Sequence, residues 1–508
     1  MARYIHCERQ DTIFVEISRF KQLQAGTFEH AVDHLIDHRI DLSIFNKRYR
    51  NDHVGRHAWH PKILLKIILV GYSRGMISSR EIASACEENV VFMALADQAK
   101  PDFTTIARFI SSMTEEIRII FSEVLLYCSE MNLIGGEMFA VDGHKISSNA
   151  AKEWSGKHQH LAEKAEKLQV IVADMLKKHR GADGTMIESE NKRIKRMERG
   201  IEKIEKFLKE KKKRIGGSGK EIQSNITDNE SAKMTSSRGV IQGYNGVAMV
   251  DAKNQIIVHA EAFGSGQEHD LLKTMIDGAR NNLIAIGKTS DCMDGKKLAA
   301  DSNYYTKDNC RISEEEKIDA YIPDQKFRQR DPRFVDAKKH KSVQKQEKHQ
   351  RKYGEQNFRY EADSDRYICP AGRELCLEHR AKKTKWFVMR EYSSKETDCA
   401  DCSLRANCLQ KPDGKRRFLC IATSASSKKE KEFIRRMRDK IDSPEGREIY
   451  SRRMGIVEPV FANIRASKKM NRLTLRGKVK VTIQWMLFSI VHNIEKISHV
   501  NYVQFEYG

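Results

Sequence analysis

The sequence predicts an α/β protein with an all-α region ahead of its sheet, and three observations carry that expectation. Met138–Val141 is a short apolar run ending at Asp142, long enough for one buried strand. Val240–Asp251 and Gln255–Phe263 read as two further strands around an Asp251–Asn254 turn. Apolar residues at helical spacing fill the chain before Asn132 and return between Asn149 and Gly239.

With 508 residues, the chain is long enough for more than one structural unit, and a 40% hydrophobic fraction suits a soluble protein. Its formal charge of +21 attracts polyanions, nucleic acid foremost, although a merely soluble basic protein also accounts for it. Trp485–Val491 is too short to cross a bilayer, and the first residues lack the pattern of a signal peptide. The expectation is a cytoplasmic protein with no membrane partner. Eleven cysteines in such a chain read as reduced thiols or metal ligands, not as a disulfide framework.

Taken in order, Thr27–Asp37 is weakly amphipathic, and His30, His34 and His38 recur on one helical face. They offer either a metal site or, more simply, a solvated or half-buried face. Pro61 opens a strong helix with Ile63, Leu64, Ile67 and Ile68 inward. Ser78 with Glu81 fits a capping box, and Asp102 can cap the helix through Phe109. This succession of short helices suits a helix-turn-helix reader whose Arg74, Arg80, Lys100 and Arg108 contact phosphates, or else a packing or dimerisation domain. As a closed set it is expected to fold alone. Leu161, Ala165, Leu168, Val172 and Met175, answered by Ile194, Met197, Ile201, Ile204 and Leu208, predict an antiparallel helical hairpin over 152–219. Lys209–Arg214 is either a basic arm or a plain linker, and the Lys-rich stretch Lys338–Lys352 reads as a DNA-contacting loop. Cys399 and Cys402 have the spacing that lets two thiolates share one zinc, and Cys369 and Cys408 can complete a tetrahedral set. Cys376 and Cys420 read as buried or inert. The stripe Ile483, Leu487, Ile490 and Ile494 marks a core helix near the end.

Three acids carry the chemistry. Asp142 ends an apolar run, Asp301 follows Leu298–Ala300, and Glu458 lies on or beside a late helix. A carboxylate at the end of a buried strand is costly unless something positive meets it. Three that converge can hold metal ions through oxygen, and a pair of ions can activate water against a phosphodiester. Taken singly, each is equally an ordinary turn-capping acid.

Together these acids and their neighbours resemble the DDE transposases of bacterial insertion sequences. Val141-Asp142-Gly143 resembles the first-acid motif and Ala300-Asp301-Ser302-Asn303-Tyr304 the second, with Asn303 where Gly is more usual. Tyr450, Arg453, Glu458 and Arg465 resemble the Tyr-Arg-Glu-Lys signature, with Arg465 in place of Lys and four residues instead of three between Arg453 and Glu458. Either Arg452 or Arg453 can therefore fill the arginine role. The resemblance implies a ribonuclease-H-like catalytic core over 137–499, interrupted by the hairpin and by a cysteine-bearing insertion over 310–440. It implies a DNA-binding domain over 1–132 that recognises the element's terminal repeats. Asp142, Asp301 and Glu458 would hold two Mg²⁺ ions, with Mn²⁺ a possible substitute, while Tyr450, Arg453 and Arg465 position phosphates. His269 and Asp270 resemble residues near the active site, although Asp270 also reads as a helix cap. The cysteine cluster is similar to one found in members of the family, and structural Zn²⁺ is the reading preferred here over four unrelated thiols. The implied partners are double-stranded DNA, as transposon ends and target, and a second copy of the chain, with the protein nucleoid-associated when bound. A nuclease that cuts without joining, and a transposase-derived DNA-binding protein without chemistry, are the rival readings.

Overall fold

The computed structural model describes residues 17–49, 57–181, 188–216, 219–236, 239–334, 352–383, 388–409, 411, 413–422 and 426–500. The chain divides into two compact units. The first holds Met1–Tyr304, Glu316–Ala320 and Ile449–Gly508, and the second holds Tyr305–Glu315 and Tyr321–Glu448.

The first unit begins with helices whose starts follow from local capping. In α1 (Phe28–His38) the Thr27 side chain accepts from His30 N at 3.2 Å. Pro61 takes the first position of α2 (Pro61–Ser73), where its missing N–H costs nothing. The capping box at Ser78 and Glu81 opens α3 (Ser79–Glu88), and Asp102 accepts from Thr104 N at 2.8 Å ahead of α4 (Phe103–Ser112). A fifth helix, α5, spans Thr114–Glu130. The histidines of α1 are partly exposed, with the His30 and His34 rings stacked. Among the described residues the ligand atoms close enough to share a metal lie elsewhere, so the stripe is a half-buried helix face. Arg74 is held by Glu29 at 2.8 Å, while Arg80, Lys100 and Arg108 are exposed.

The sheet is mixed. β1 (Met138–Ser147) is followed by the hairpin α6 (His158–Gly181) and α7 (Glu188–Glu210), then by β2 (Ala232–Ser236), β3 (Gly239–Asp251) and β4 (Ile257–Phe263). After α8 (Leu272–Ala285) come β5 (Lys297–Ala300) and β6 (Asp319–Tyr321). The spatial order is β2-β3-β1-β5-β6, with β4 also on β3. β1 is antiparallel to β3 and parallel to β5, in a register that pairs Val141 with Ala300. β1 does not stop at Asp142 as the apolar run suggested. It continues to Ser147 because β3 goes on pairing with it through Gly243. Leu161, Ala165, Ile204 and Phe207 form one seam of the hairpin, and Val172, Ile194 and Ile201 another. Its expected Gly181–Gly184 turn lies mostly outside the described residues, as does nearly all of Lys338–Lys352.

In the second unit β7 (Arg359–Glu361), β8 (Arg366–Ile368), β9 (Glu374–Lys383), β10 (Val388–Ser393) and β11 (Phe418–Ala422) form an antiparallel meander around Tyr367, Leu375, Tyr392 and Leu419.

Two late helices complete the first unit: α9 (Pro444–Ala462), which enters it at Ile449, and α10 (Lys478–Val500). The apolar stripe of α10 suggested one buried side. Instead the helix is buried all round, Thr482, Gln484, Ser489, His492 and Asn493 included. Those polar groups are satisfied by neighbours: Asn493 Nδ2 donates to Ile257 O and its Oδ1 accepts from Ile257 N, each at 2.9 Å. Trp485 Nε1 donates to Val247 O at 3.0 Å. Elsewhere on the helix, Phe488 stacks on Tyr72 of α2 with centroids 4.4 Å apart. The N-terminal helices therefore close their apolar faces on α10 and not only on one another. Phe488→Ala is expected to lower stability by about 3–5 kcal/mol, read as an earlier urea midpoint. A fragment ending at Asn132 is expected to show the broad, low-amplitude transition of a poorly packed chain.

Candidate active site

The parallel register of β1 and β5 sets Asp142 and Asp301 side by side, one step past the Val141–Ala300 pair. A third acid joins them from the β4–α8 connection. Asp142, Glu268 and Asp301 each present a carboxylate oxygen, all within 4.8 Å of one another. The acids line an open cleft of about 350 Å³ that Lys145, Asn303 and Arg465 also border.

Each carboxylate is held by particular donors. Asp142 accepts from Gly143 N at 2.8 Å and from Arg453 Nη2 at 2.5 Å. Asp301 accepts from Asn303 N at 2.8 Å and Asn303 Nδ2 at 3.0 Å. Glu268 accepts from Asn245 Nδ2 at 2.9 Å and, more weakly, from Asn303 Nδ2 at 3.4 Å. Asn303, which stands where glycine is more usual, thus bridges two acids. Gly143 is required by close approach: a Cβ there would sit 2.5 Å from Glu268 Oε1 and 2.7 Å from Asn245 Oδ1.

Burial and negative charge dominate the electrostatics. Burial pushes the Asp142 carboxyl up to about 7, against the pull of Arg453, and Asp301 and Glu268 add to the rise. Burial likewise raises Glu268, opposed by Asn245 and reinforced by Asp301. Burial works against the charge of Arg453, but Asp142 together with Tyr450, Asp301 and Glu458 holds its guanidinium above the ordinary value. Tyr304, buried beside these acids, is raised for the same reason, desolvation first.

The site residues expected from sequence are distributed unevenly. Asp142, Asp301 and Arg453 meet. Of the two arginines in question, Arg453 reaches the acids and Arg452 is exposed. Tyr450 lies one turn before Arg453 on α9, and Arg465 reaches the cleft from a π-helical turn, Asn463–Ser467. Glu458 is exposed and contributes no oxygen to the cluster. His269 and Asp270 pair with each other at 3.3 Å, with the Asp270 side chain 88% exposed. No side chain caps α8, so Asp270 does not serve as its cap. Glu268, one residue before, is the acid that turns inward, and it was missed. Its available signal was a lone glutamate between a strand and a helix, which local pattern does not distinguish from its polar neighbours. In the second unit Cys369, Cys399, Cys402 and Cys408 line one cavity, although among the described residues the ligand atoms mutually within 4.8 Å are those of Asp142, Glu268 and Asp301 and not these thiols.

A mixed sheet that crowds carboxylates at the end of a parallel strand pair, with arginines close by, defines a site for divalent metal and phosphate chemistry. The family comparisons make this specific. Residues 18–112 match a family described as "Transposase domain (DUF772)", and residues 368–498 match one described as "Transposase DDE domain". The two matches indicate that the chain is a DDE transposase of an insertion sequence. The second stretch contains the cysteines, Tyr450, Arg453, Glu458 and Arg465, while Asp142 and Asp301 lie between the two stretches. None of the curated proteins matches the chain significantly. The α/β architecture is consistent with a ribonuclease-H-like core, a DDE domain implies use of divalent metal, and the family implies DNA as substrate. Among the described residues no helix is long and apolar enough to cross a membrane.

Arg453→Ala would leave the buried Asp142 carboxylate without its cation and is expected to cost about 3–5 kcal/mol in chemical unfolding. Glu458→Gln, at an exposed position, is expected to change stability by no more than about 0.5 kcal/mol.

Proposed function

We propose that this transposase binds the terminal inverted repeats of its insertion sequence and catalyses metal-dependent cleavage followed by strand transfer into target DNA. The observation that carries the reading is the convergence of Asp142 and Asp301 in a cleft bordered by Lys145 and Arg465, with Arg453 on Asp142. The donor set suits a hard cation, because it is made of oxygens alone and includes Asn245 Oδ1, a fully buried acceptor with no hydrogen-bond partner. Asp142, Asp301 and Glu458 are the proposed catalytic acids, with Mg²⁺ native and Mn²⁺ a substitute. Glu458 is assigned by its place in the signature, five residues beyond Arg453 on α9. Two bound ions would supply an activated water or 3′-hydroxyl and offset charge on the leaving oxygen.

The chain's own residues do the rest. Arg465 and Lys145 stand at the cleft where a phosphate can be gripped, the arginine by charge and fork geometry. Tyr450 and Arg453 order the α9 side of the site. The exposed Arg80, Lys100 and Arg108, together with Lys211–Lys213, add sequence-independent phosphate contacts, and the N-terminal helices carry repeat recognition. A homodimer would hold the two ends of the element together. Cys369, Cys399, Cys402 and Cys408 are assigned to one structural zinc, supported by their shared cavity and by the Cys399–Cys402 spacing.

In a purified reaction with Mg²⁺ and DNA carrying the element's flanks, wild-type protein is expected to give both cut and joined products. Asp142→Asn and Asp301→Asn should remove both while retaining DNA binding in a gel-shift assay. Cut ends without joined products would favour a nuclease instead. Elemental analysis of protein purified without chelator should find about one zinc per chain, lost in Cys399→Ser and Cys402→Ser. Zinc-free wild-type protein would sink that assignment.

A further inference from the structure

The structure assigns to Glu268 a role beyond the three signature acids: we propose that it is a ligand of the divalent cation bound between Asp142 and Asp301. The inference rests on the metal-dependent reading of this site. It deepens that reading by naming which glutamate completes the site in the DNA-free protein.

Four observations point the same way. Glu268 is 5% exposed, yet among the described residues its hydrogen-bond donors are the neutral amides of Asn245 and Asn303, with no cationic donor on its carboxylate. Its oxygen lies within 4.8 Å of oxygens from both aspartates, where an acid held only for structure would be repelled. Asn245 is fully buried and gives its amide nitrogen to Glu268, which leaves its own Oδ1 unpaired next to the same group. A buried amide oxygen without a donor, beside carboxylates, is the set of hard oxygens that a divalent cation takes as ligands. Finally, β1 carries glycine at position 143, where any side chain would drive Glu268 and Asn245 out of this arrangement. Together these features describe an oxygen cradle from β1, β3, the β4–α8 connection and the residue after β5. Glu458 supplies none of it.

The alternative is that Glu268 is a neutral acid that merely anchors Asn245. Mn²⁺ alone, added to the full-length protein without DNA, separates the two. Free Mn²⁺ is followed by its paramagnetic resonance signal, and thermal unfolding is recorded with Mn²⁺ and with chelator. Glu268→Gln is expected to weaken Mn²⁺ binding at least about tenfold and to lose most of the Mn²⁺-induced rise in Tm. In chelator it should melt no lower than wild type, because the change removes a crowded charge and keeps the shape. Asp270→Asn, two residues on and exposed, should bind Mn²⁺ as wild type does. If Glu268→Gln binds Mn²⁺ like wild type while Asp142→Asn does not, the assignment of Glu268 is overturned and the metal reading stands. If Asp142→Asn also binds normally, the metal reading of the site itself fails. A Glu268→Gln protein that melts well below wild type in chelator marks Glu268 as a structural acid and likewise overturns the proposal.

Discussion

Three carboxylates within 4.8 Å of one another, two of them buried or nearly so, are the constraint around which the first unit is arranged. At an effective dielectric near 20, each like-charged pair at that spacing costs about 3 kcal/mol. Against this the described residues set one guanidinium, that of Arg453, and several dipoles: Gly143 N, Asn303 N and the amides of Asn245 and Asn303. Burial first, and this crowding after it, holds the Asp142 and Glu268 carboxyls above the ordinary range, Asp142 at about 7. The sign for stability follows. A folded-state pKa raised above the unfolded value means that the metal-free native state binds more protons than the unfolded chain. That contribution is fully present below the ordinary aspartate range and is lost as pH rises through about 7.

The position of Glu458 has a simple geometric cause. A residue four beyond Arg453 on a helix lies about 40° from it, whereas a residue five beyond lies about 140° away. Val457 takes the nearer position and is fully buried, while Glu458 faces outward. With four residues between them, Glu458 therefore lies off the face that Arg453 occupies. The helix is irregular on either side of this point. Pro459 cannot donate to Gly455 O, which instead accepts from Gln255 Nε2 at 2.8 Å, and the π-helical turn follows at Asn463–Ser467.

What could be read from sequence follows this division between local and long-range causes. The strands, the hairpin seams, the caps at Ser78 and Asp102, and the first two acids all declare themselves through neighbours in the chain. So did the spacing anomaly before Glu458, although its direction on the helix needed the structure. Glu268 was hidden because its partners come from positions 23 and 35 residues away, Asn245 and Asn303, and the local string favours its more polar neighbours. The end of the first strand was misplaced for a related reason. Residues 142–147 are too polar to read as a strand, and only pairing with β3 keeps them in the sheet.

The same distinction explains why the N-terminal helices are not the independent module their periodicity suggested. A stripe at helical spacing identifies one apolar face, and α10 shows one in Ile483, Leu487, Ile490 and Ile494. Nothing in that stripe reveals that Thr482, Gln484, His492 and Asn493 are also buried, because a buried polar residue is recognised only by its partner. For Thr482, His492 and Asn493 those partners are backbone groups of β4 and its flanks, Ala262 N, Gln255 O and Ile257, with His492 Nε2 2.9 Å from Gln255 O, whereas Gln484 bonds Thr474. The helix is thus hydrogen-bonded to the sheet that bears Asp142 and also stacked on α2 through Phe488 and Tyr72. Because α10 belongs to both packings at once, displacement of the N-terminal helices would be felt at β3, whose Val247 O it holds and whose Asn245 holds Glu268. The helices before Asp142 and the sheet that bears it belong to one compact unit.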